Sequence, residues 1–285
     1  MMIDGYLAAD YRGVKQYDKA LKIYNDFLVD DPNDWGILED RGATYAGMGD
    51  EVHALADLNR SIEIDPKYST AYGPRGLLYA TQGQYDLAFK DLDNAIAHNG
   101  KDVLAYEIRC RVHLDHGDFK QGIDDCNQAL KLEPGFSLAK VEKGAGQYFA
   151  GDYRAAADTL ADFMNYQQEE PFGLLWLHLA KRRLGEDDAA ALETQAQRLD
   201  PRRWPTLIVR YYQGKVPAEA LQTATADPDP KEAAARKCDV DYFTGEALLL
   251  DGKTDAARQH IEHAIATCPK DEISLVGARA ELGRM

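Results

Sequence analysis

The sequence predicts an all-α solenoid of antiparallel helix pairs, and three observations carry the prediction. Residues 35–68, 69–102 and 103–136 align without a gap, so the chain repeats every 34 residues. Each copy sets small residues and aromatics at helical spacing on either side of a glycine turn, as in RGATYAGMGDEVHALADLNRSIEIDP. Each copy also closes on a helix breaker: Pro66, Gly100 and Pro134. A period near 34 with two helical halves marks hairpins that bury a core only by stacking on their neighbours.

Residues 1–34 keep the same period. Leu7, Ala8 and Tyr11 stand one period before Arg41, Gly42 and Tyr45, and Ala20, Tyr24 and Pro32 stand one period before Ala54, Leu58 and Pro66. Gly5 and the nearby terminus weaken the first helix. Three readings stay open for it: fraying, packing on a preceding element, or service as a solubilising first repeat. In the next copy a first helix runs from about Trp35 to Gly47. Gly42 admits a close neighbour and Tyr45 fills the space beside it. Gly49 and Asp50 make the turn, since glycine tolerates positive φ and aspartate caps the next helix. The second helix runs to about Ile64, and Pro66 follows because proline lacks the donor that a helix interior needs.

The same positions recur as Gly76, Tyr79, Gly83, Ala88, Leu92 and Ile96, and then as Cys110, His113, Gly117, Gly122, Cys126 and Leu130. Cys110 and Cys126 therefore read as small buried thiols of one hairpin. His113 reads as a packing residue in a tyrosine's place. Arg41, Arg75 and Arg109 share one position, and Asp57, Asp91 and Asp125 share another. One such set per repeat predicts an architectural ionic ladder rather than acid–base chemistry. Solvated pairs of this kind contribute only about 0–1 kcal/mol.

Residues 137–170 keep the pattern through Gly144, Gly151, Tyr153, Ala156 and Leu160. Tyr148, Phe149, Phe163 and Tyr166 either seal a wider junction or line an exposed groove. The period then slips. A helix is expected over 172–184, a short turn over 185–188, and a second helix to about Leu199. Shorter helices follow over 206–213 and 217–224, and Asp227-Pro228-Asp229-Pro230 reads as a breaker. From Cys238 the period returns, and an amphipathic helix over about 271–282 caps the apolar end. The expected layout is a regular array over 1–170, an irregular unit over 171–230, and a final repeat with its capping helix over 231–285, continuous with the array. Cys238 opens one helix of the last hairpin and Cys268 ends its antiparallel partner. A disulfide between them is geometrically reasonable, and two unlinked thiols near the surface are the alternative.

Acidic residues number 48 against 33 basic, for a formal net charge of -15. That surface repels phosphate backbones and anionic membranes. A protein or peptide that is basic and partly apolar is the better electrostatic match. No stretch approaches the roughly 18 apolar residues of a membrane span, and the first residues show no secretory signal. A complete N-terminus would imply the cytoplasm; an upstream signal since removed would imply the periplasm or cell envelope. No CxxC, GxSxG, HExxH or P-loop occurs. His178, His260 and His263 are scattered over helices, with His260 and His263 three residues apart. Neither catalysis, a metal nor a cofactor is expected.

The recurrence of Gly or Ala, Tyr, Gly, Ala and Pro at these offsets resembles the tetratricopeptide repeat family, over about residues 1–170 and 238–271. The resemblance implies a right-handed superhelix whose first helices line a concave face that binds peptides or protein segments. The layout as a whole, with WLHLAKRRLG, WPTLIVRYYQGKVPAEAL and YFTGEALLLDGKTDAARQHIEHAIATCP, is similar to NlpI-type bacterial lipoproteins. That similarity implies an envelope adaptor docking proteases and cell-wall enzymes. No lipobox precedes the repeats. Family members that clamp acidic chaperone tails use lysines and asparagines on first helices. Here those positions hold Glu39, Ala43, Gly73, Leu77, Glu107 and Arg111, so the clamp fails. Applying the family's concave positions gives a groove of these six with Leu114, Val141, Glu142 and Tyr148; an ordinary solvated inner wall is the alternative. The expected function is a noncatalytic protein-interaction adaptor. The alternatives are an oligomerising scaffold or, less favoured, a hydrolase with an unrecognised site.

Overall fold

The computed structural model describes residues 2–67 and 70–285. Among them the secondary structure is entirely helical, and the chain divides into two compact units, Met1–Val112 and His113–Met285. The division falls inside the regular repeats rather than at the change of period near residue 171.

Unit 1 contains α1 (Met2–Gly13), α2 (Tyr17–Asp30), α3 (Trp35–Met48), α4 (Glu51–Ile64), α5 (Tyr72–Thr81), α6 (Tyr85–His98) and most of α7 (Val103–His116). The hairpins form for the reasons the repeat predicts. Asp34 caps α3 by accepting from the amides of Gly36 and Ile37, and Asp50 caps α4 by accepting from that of His53. Both anions sit on the positive end of a helix. Between α3 and α4, Gly49 takes a φ of 80°. The same turn position is glycine at 83, 117, 151 and 185, whereas one period earlier it is Lys15, held at a φ of 57°. The period therefore persists as far as Gly185, further along than the side-chain pattern suggests. At Gly42 an added Cβ would stand 2.9 Å from Leu58 Cγ and 3.2 Å from the carbonyl oxygen of Ala54. That contact distance is what lets α3 and α4 close.

The arginine ladder has a definite geometry. Arg41 grips Asp57 through Nε and Nη2 at 2.7 and 2.8 Å, and its Nη1 donates to Asn25 one repeat earlier. Arg75 repeats this with Asp91 and Asn59, and Arg109 Nη1 reaches Asp93 at 2.6 Å. Each arginine thus pins its own hairpin or the one before it, and two-pronged geometry fixes register. Hydrophobic packing in unit 1 comes in small clusters, such as Ala8–Ala20–Tyr24 and Ala80–Ala88–Leu92–Val112.

Unit 2 contains α8 (Phe119–Leu132), α9 (Ser137–Phe149), α10 (Tyr153–Tyr166), α11 (Pro171–Arg183), α12 (Ala189–Ala196), α13 (Thr206–Tyr212), α14 (Ala218–Thr223), α15 (Pro230–Leu250), α16 (Thr254–Thr267) and α17 (Ile273–Leu282). The proline run before α15 starts that helix rather than merely breaking the chain. Asp229 accepts from the Lys231 amide at 2.9 Å, and Pro230 stands in the first turn, where its missing donor is not needed. One continuous core fills the unit. At its centre Trp176 of α11 packs against Tyr148 and Phe149 of α9 and against Tyr242 and Phe243 of α15, with ring centroids 5.1–5.6 Å apart. Rings at these distances add about 0.5–1.5 kcal/mol per pair beyond burial alone. The last helix, α17, packs on α15, α16 and α9. A Cβ on its Gly277 would stand 2.6 Å from the Tyr242 ring.

Candidate functional site

In unit 1 the first helices present a face of mixed chemistry. Glu39 and Ala43 of α3, Leu77 of α5 and Arg111 of α7 are half-buried, so part of each side chain meets solvent. Gly73 is buried, and a Cβ there would touch Ile108 of α7 at 3.4 Å. Glu107 is 4% exposed and belongs to the interior rather than to a wall. The Thr70 hydroxyl donates to Glu39 Oε2, and among the described residues no cation pairs with that carboxylate. Burial pushes Glu39 up to about 7; the Thr70 hydrogen bond and Arg12 oppose the shift, while Asp40 and Asp102 add to it. Asp40 pairs with Arg12 at 3.1 Å and is also raised, chiefly by burial. Asp102 caps α7 by accepting from the Ala105 amide. Two positions after it, Leu104 is 59% exposed. Arg111 likewise has no carboxylate partner among the described residues.

The structure breaks the expected wall in unit 2. Tyr148 is fully buried, Leu114 is 2% exposed and Glu142 is 4% exposed; only Val141 keeps partial exposure. These three buried residues are corrected from groove positions to interior ones. The physical reason is that unit 2 fills its own inner face. The Tyr148 hydroxyl donates to Glu246 at 2.8 Å and accepts from Arg183 Nε at 3.1 Å. Leu114 occupies the space beside Gly146, where a Cβ would come within 2.7 Å. Arg284 closes the end by donating to the Phe149 carbonyl.

The polar pairs elsewhere serve structure. Cys238 and Cys268 form a disulfide with their Cα atoms 4.9 Å apart, joining α15 to the end of α16. Cys110 and Cys126 are corrected from free thiols: both are disulfide-bonded, which takes their sulfurs out of thiolate chemistry. His260 and His263, which have no obvious partner in the sequence, face Asp241 of α15 at 3.4 and 2.7 Å. His178 and Asp188 hydrogen-bond at 2.9 Å, both under 9% exposed, with the imidazole against Tyr212. A pair closed from solvent in this way offers a substrate no approach. Thr70, Asp102 and Leu104 are the surface residues that sequence reasoning missed. Thr70 and Leu104 share the second position of the 34-residue period, which was the available signal.

A family model described as tetratricopeptide repeat matches residues 74–135. Residues 74–135 carry the tetratricopeptide repeat signature. Solved structures agree on the fold. A tetratricopeptide repeat protein from Parabacteroides merdae aligns over 99% of this chain and 98% of its own, with a TM-score of 0.57 at 12% identity. PilW, a type IV pilus biogenesis factor, aligns over 67% of this chain and 91% of its own (TM-score 0.60, 18% identity). TTC0263 of Thermus thermophilus aligns over 63% and 97% (TM-score 0.56, 18% identity). Identities this low establish an all-α solenoid and nothing finer. The repeats support a protein-interaction, adaptor kind of function, in a family of generally noncatalytic scaffolds with protein partners. Among the described residues no helix is long and apolar enough to cross a membrane.

Proposed function

We propose that this tetratricopeptide repeat protein is an adaptor that binds an extended, partly apolar peptide with a basic side chain on the concave, first-helix face of unit 1. One observation carries the reading: Glu39 is a half-buried carboxylate on that face that forms no ion pair among the described residues, Arg12 acting on it only at a distance. A buried charge without a partner is costly, and a ligand's lysine or arginine relieves that cost. Ala43, Leu77 and the exposed Leu104 supply apolar contact beside it. Unit 2 contributes no such wall, because its inner face is packed shut around Trp176. A preformed helical surface loses little entropy on binding.

The test is fluorescence anisotropy with labelled peptides that alternate lysine and leucine, against matched peptides that alternate glutamate and leucine. The lysine series is expected to bind more tightly, to strengthen as pH rises through about 7 as Glu39 ionises, and to lose about tenfold on Glu39→Lys, roughly 1.4 kcal/mol. Arg111→Glu is expected to shift the preference further toward the lysine series. Equal affinity of wild type and Glu39→Lys for every peptide would remove the face from the binding account.

A further inference from the structure

The irregular stretch between the repeats of unit 2 holds a recess that the peptide-binding reading does not use. It lies between the end of α12, the following connection and α13, and encloses about 270 Å³. Leu199 and Val209 give it an apolar floor, being 6% and 0% exposed. Thr206 lines it as well, 3% exposed, with a hydroxyl that has no hydrogen-bond partner. Arg210 and Lys215 stand at its rim. Lys215 is shared with Glu193 at 2.7 Å, and Gln213 holds the other oxygen of that carboxylate. Arg210 differs from both in that its exposed guanidinium is paired with no described residue.

The surrounding sequence has the opposite charge balance to the chain. Residues 181–215 carry eight Lys or Arg and five Asp or Glu, within a protein of formal net charge -15. A locally positive rim in an acidic protein selects anions, and a guanidinium matches a carboxylate with two parallel hydrogen bonds. The volume sets the apolar part. Pockets for drug-sized ligands start near about 300 Å³, so this one accommodates a single leucine- or valine-sized group. An apolar floor beside an unpaired guanidinium is complementary to a small branched acid.

We propose that this recess binds a carboxylate carried on a short branched apolar group, held by Arg210 with its aliphatic part on Leu199 and Val209. That chemistry has two sources, a free small acid and the C-terminal residue of a polypeptide. The site stands outside the repeat positions, so it holds or fails independently of the Glu39 face.

The experiment is titration of the full-length, isotope-labelled protein with N-acetyl-leucine and N-acetyl-leucinamide, followed by amide chemical shifts. N-acetyl-leucine is expected to shift the amides of residues 199–215 in a saturable way, with the uncharged amide at least tenfold weaker. Arg210→Gln, at an exposed side chain, is expected to weaken the acid at least tenfold and leave the remaining spectrum unchanged. A third probe, acetyl-Gly-Ser-Gly-Leu with a free carboxylate, assigns the source. Tighter binding than N-acetyl-leucine indicates a chain terminus, and weaker binding indicates a free acid. Equal binding of acid and amide, insensitivity to Arg210→Gln, or no saturable shift in residues 199–215 would overturn the proposal.

Discussion

Glu246 shows what one residue contributes here. It has no exposed surface, and its carboxylate accepts from Arg183 at 2.7 Å and from the hydroxyls of Tyr148 and Tyr242, each at 2.8 Å. Arg183 is shared with Glu281 at 3.0 Å, and Glu281 in turn pairs with Arg284. Burial pushes Glu246 up to about 7, the nearby Glu281 adds to the rise, and Arg183 opposes it. A carboxyl whose folded pKa lies above its unfolded 4.5 keeps a proton longer in the native state. Its contribution is therefore complete below about pH 4.5 and is lost as pH climbs toward about 7. A tenfold difference in proton affinity between the folded and unfolded states corresponds to about 1.4 kcal/mol. Urea unfolding at pH 5 and pH 7 should show wild type losing more stability over that interval than Glu246→Gln. Identical slopes in the two proteins would mean that Glu246 does not titrate in this range. The period could not reveal this site. Tyr148 sits at a repeat position that reads equally well as wall or as filling, and its partner lies 98 residues away. A 34-residue pattern describes neighbouring helices and is silent on contacts made across several repeats.

At the scale of helix pairs the sequence was far more informative, because hairpin geometry is local. The glycine turns, the aspartate caps and the small residue of each first helix all lie within one repeat. Gly42 is the clearest case, with Leu58 Cγ at 2.9 Å and a backbone oxygen at 3.2 Å from where a Cβ would stand. The backbone oxygen cannot swing aside as a side chain can. Gly42→Ala is therefore expected to cost about 1–3 kcal/mol through overpacking. Gly13→Ala, with nothing within 4 Å of its added Cβ, is the control and should be neutral or slightly stabilising. Thermal unfolding of both separates crowding from helix propensity; equal effects would place the cost in the backbone rather than in the contact. The ladder was legible in part. Its arginines and aspartates share a period, but the third partner, Asn25 or Asn59, becomes Asp93 in the next copy and so escapes a search for identical residues. The start of α15 at Pro230 was obscured for a different reason: a proline marks a break and a first helical turn equally well, and only Asp229 capping the Lys231 amide distinguishes them.

The molecule as a whole joins two units that solve the burial problem differently, and their stabilities should differ accordingly. Among its described residues unit 1 shows modest clusters of alanine, leucine and tyrosine, each confined to neighbouring helices. Unit 2 has one continuous core with Trp176, Tyr148, Phe149, Tyr242 and Phe243 all at 1% exposure or less. Its last hairpin is further tied by the Cys238–Cys268 disulfide, of a kind that commonly contributes about 2–4 kcal/mol. Repeats coupled only to their neighbours open locally, whereas a single shared core opens cooperatively. Two unfolding steps are therefore expected, unit 1 before unit 2. Trp35 reports on the first, and Trp176 with Trp204 on the second. In urea, fluorescence of the Trp35→Phe variant should show only the later transition. Hydrogen exchange should place the slowest amides in α9, α11 and α15. Coincident transitions in both proteins, with protection spread evenly across residues 2–285, would show that the chain unfolds as one body and that the difference in cores has no energetic consequence.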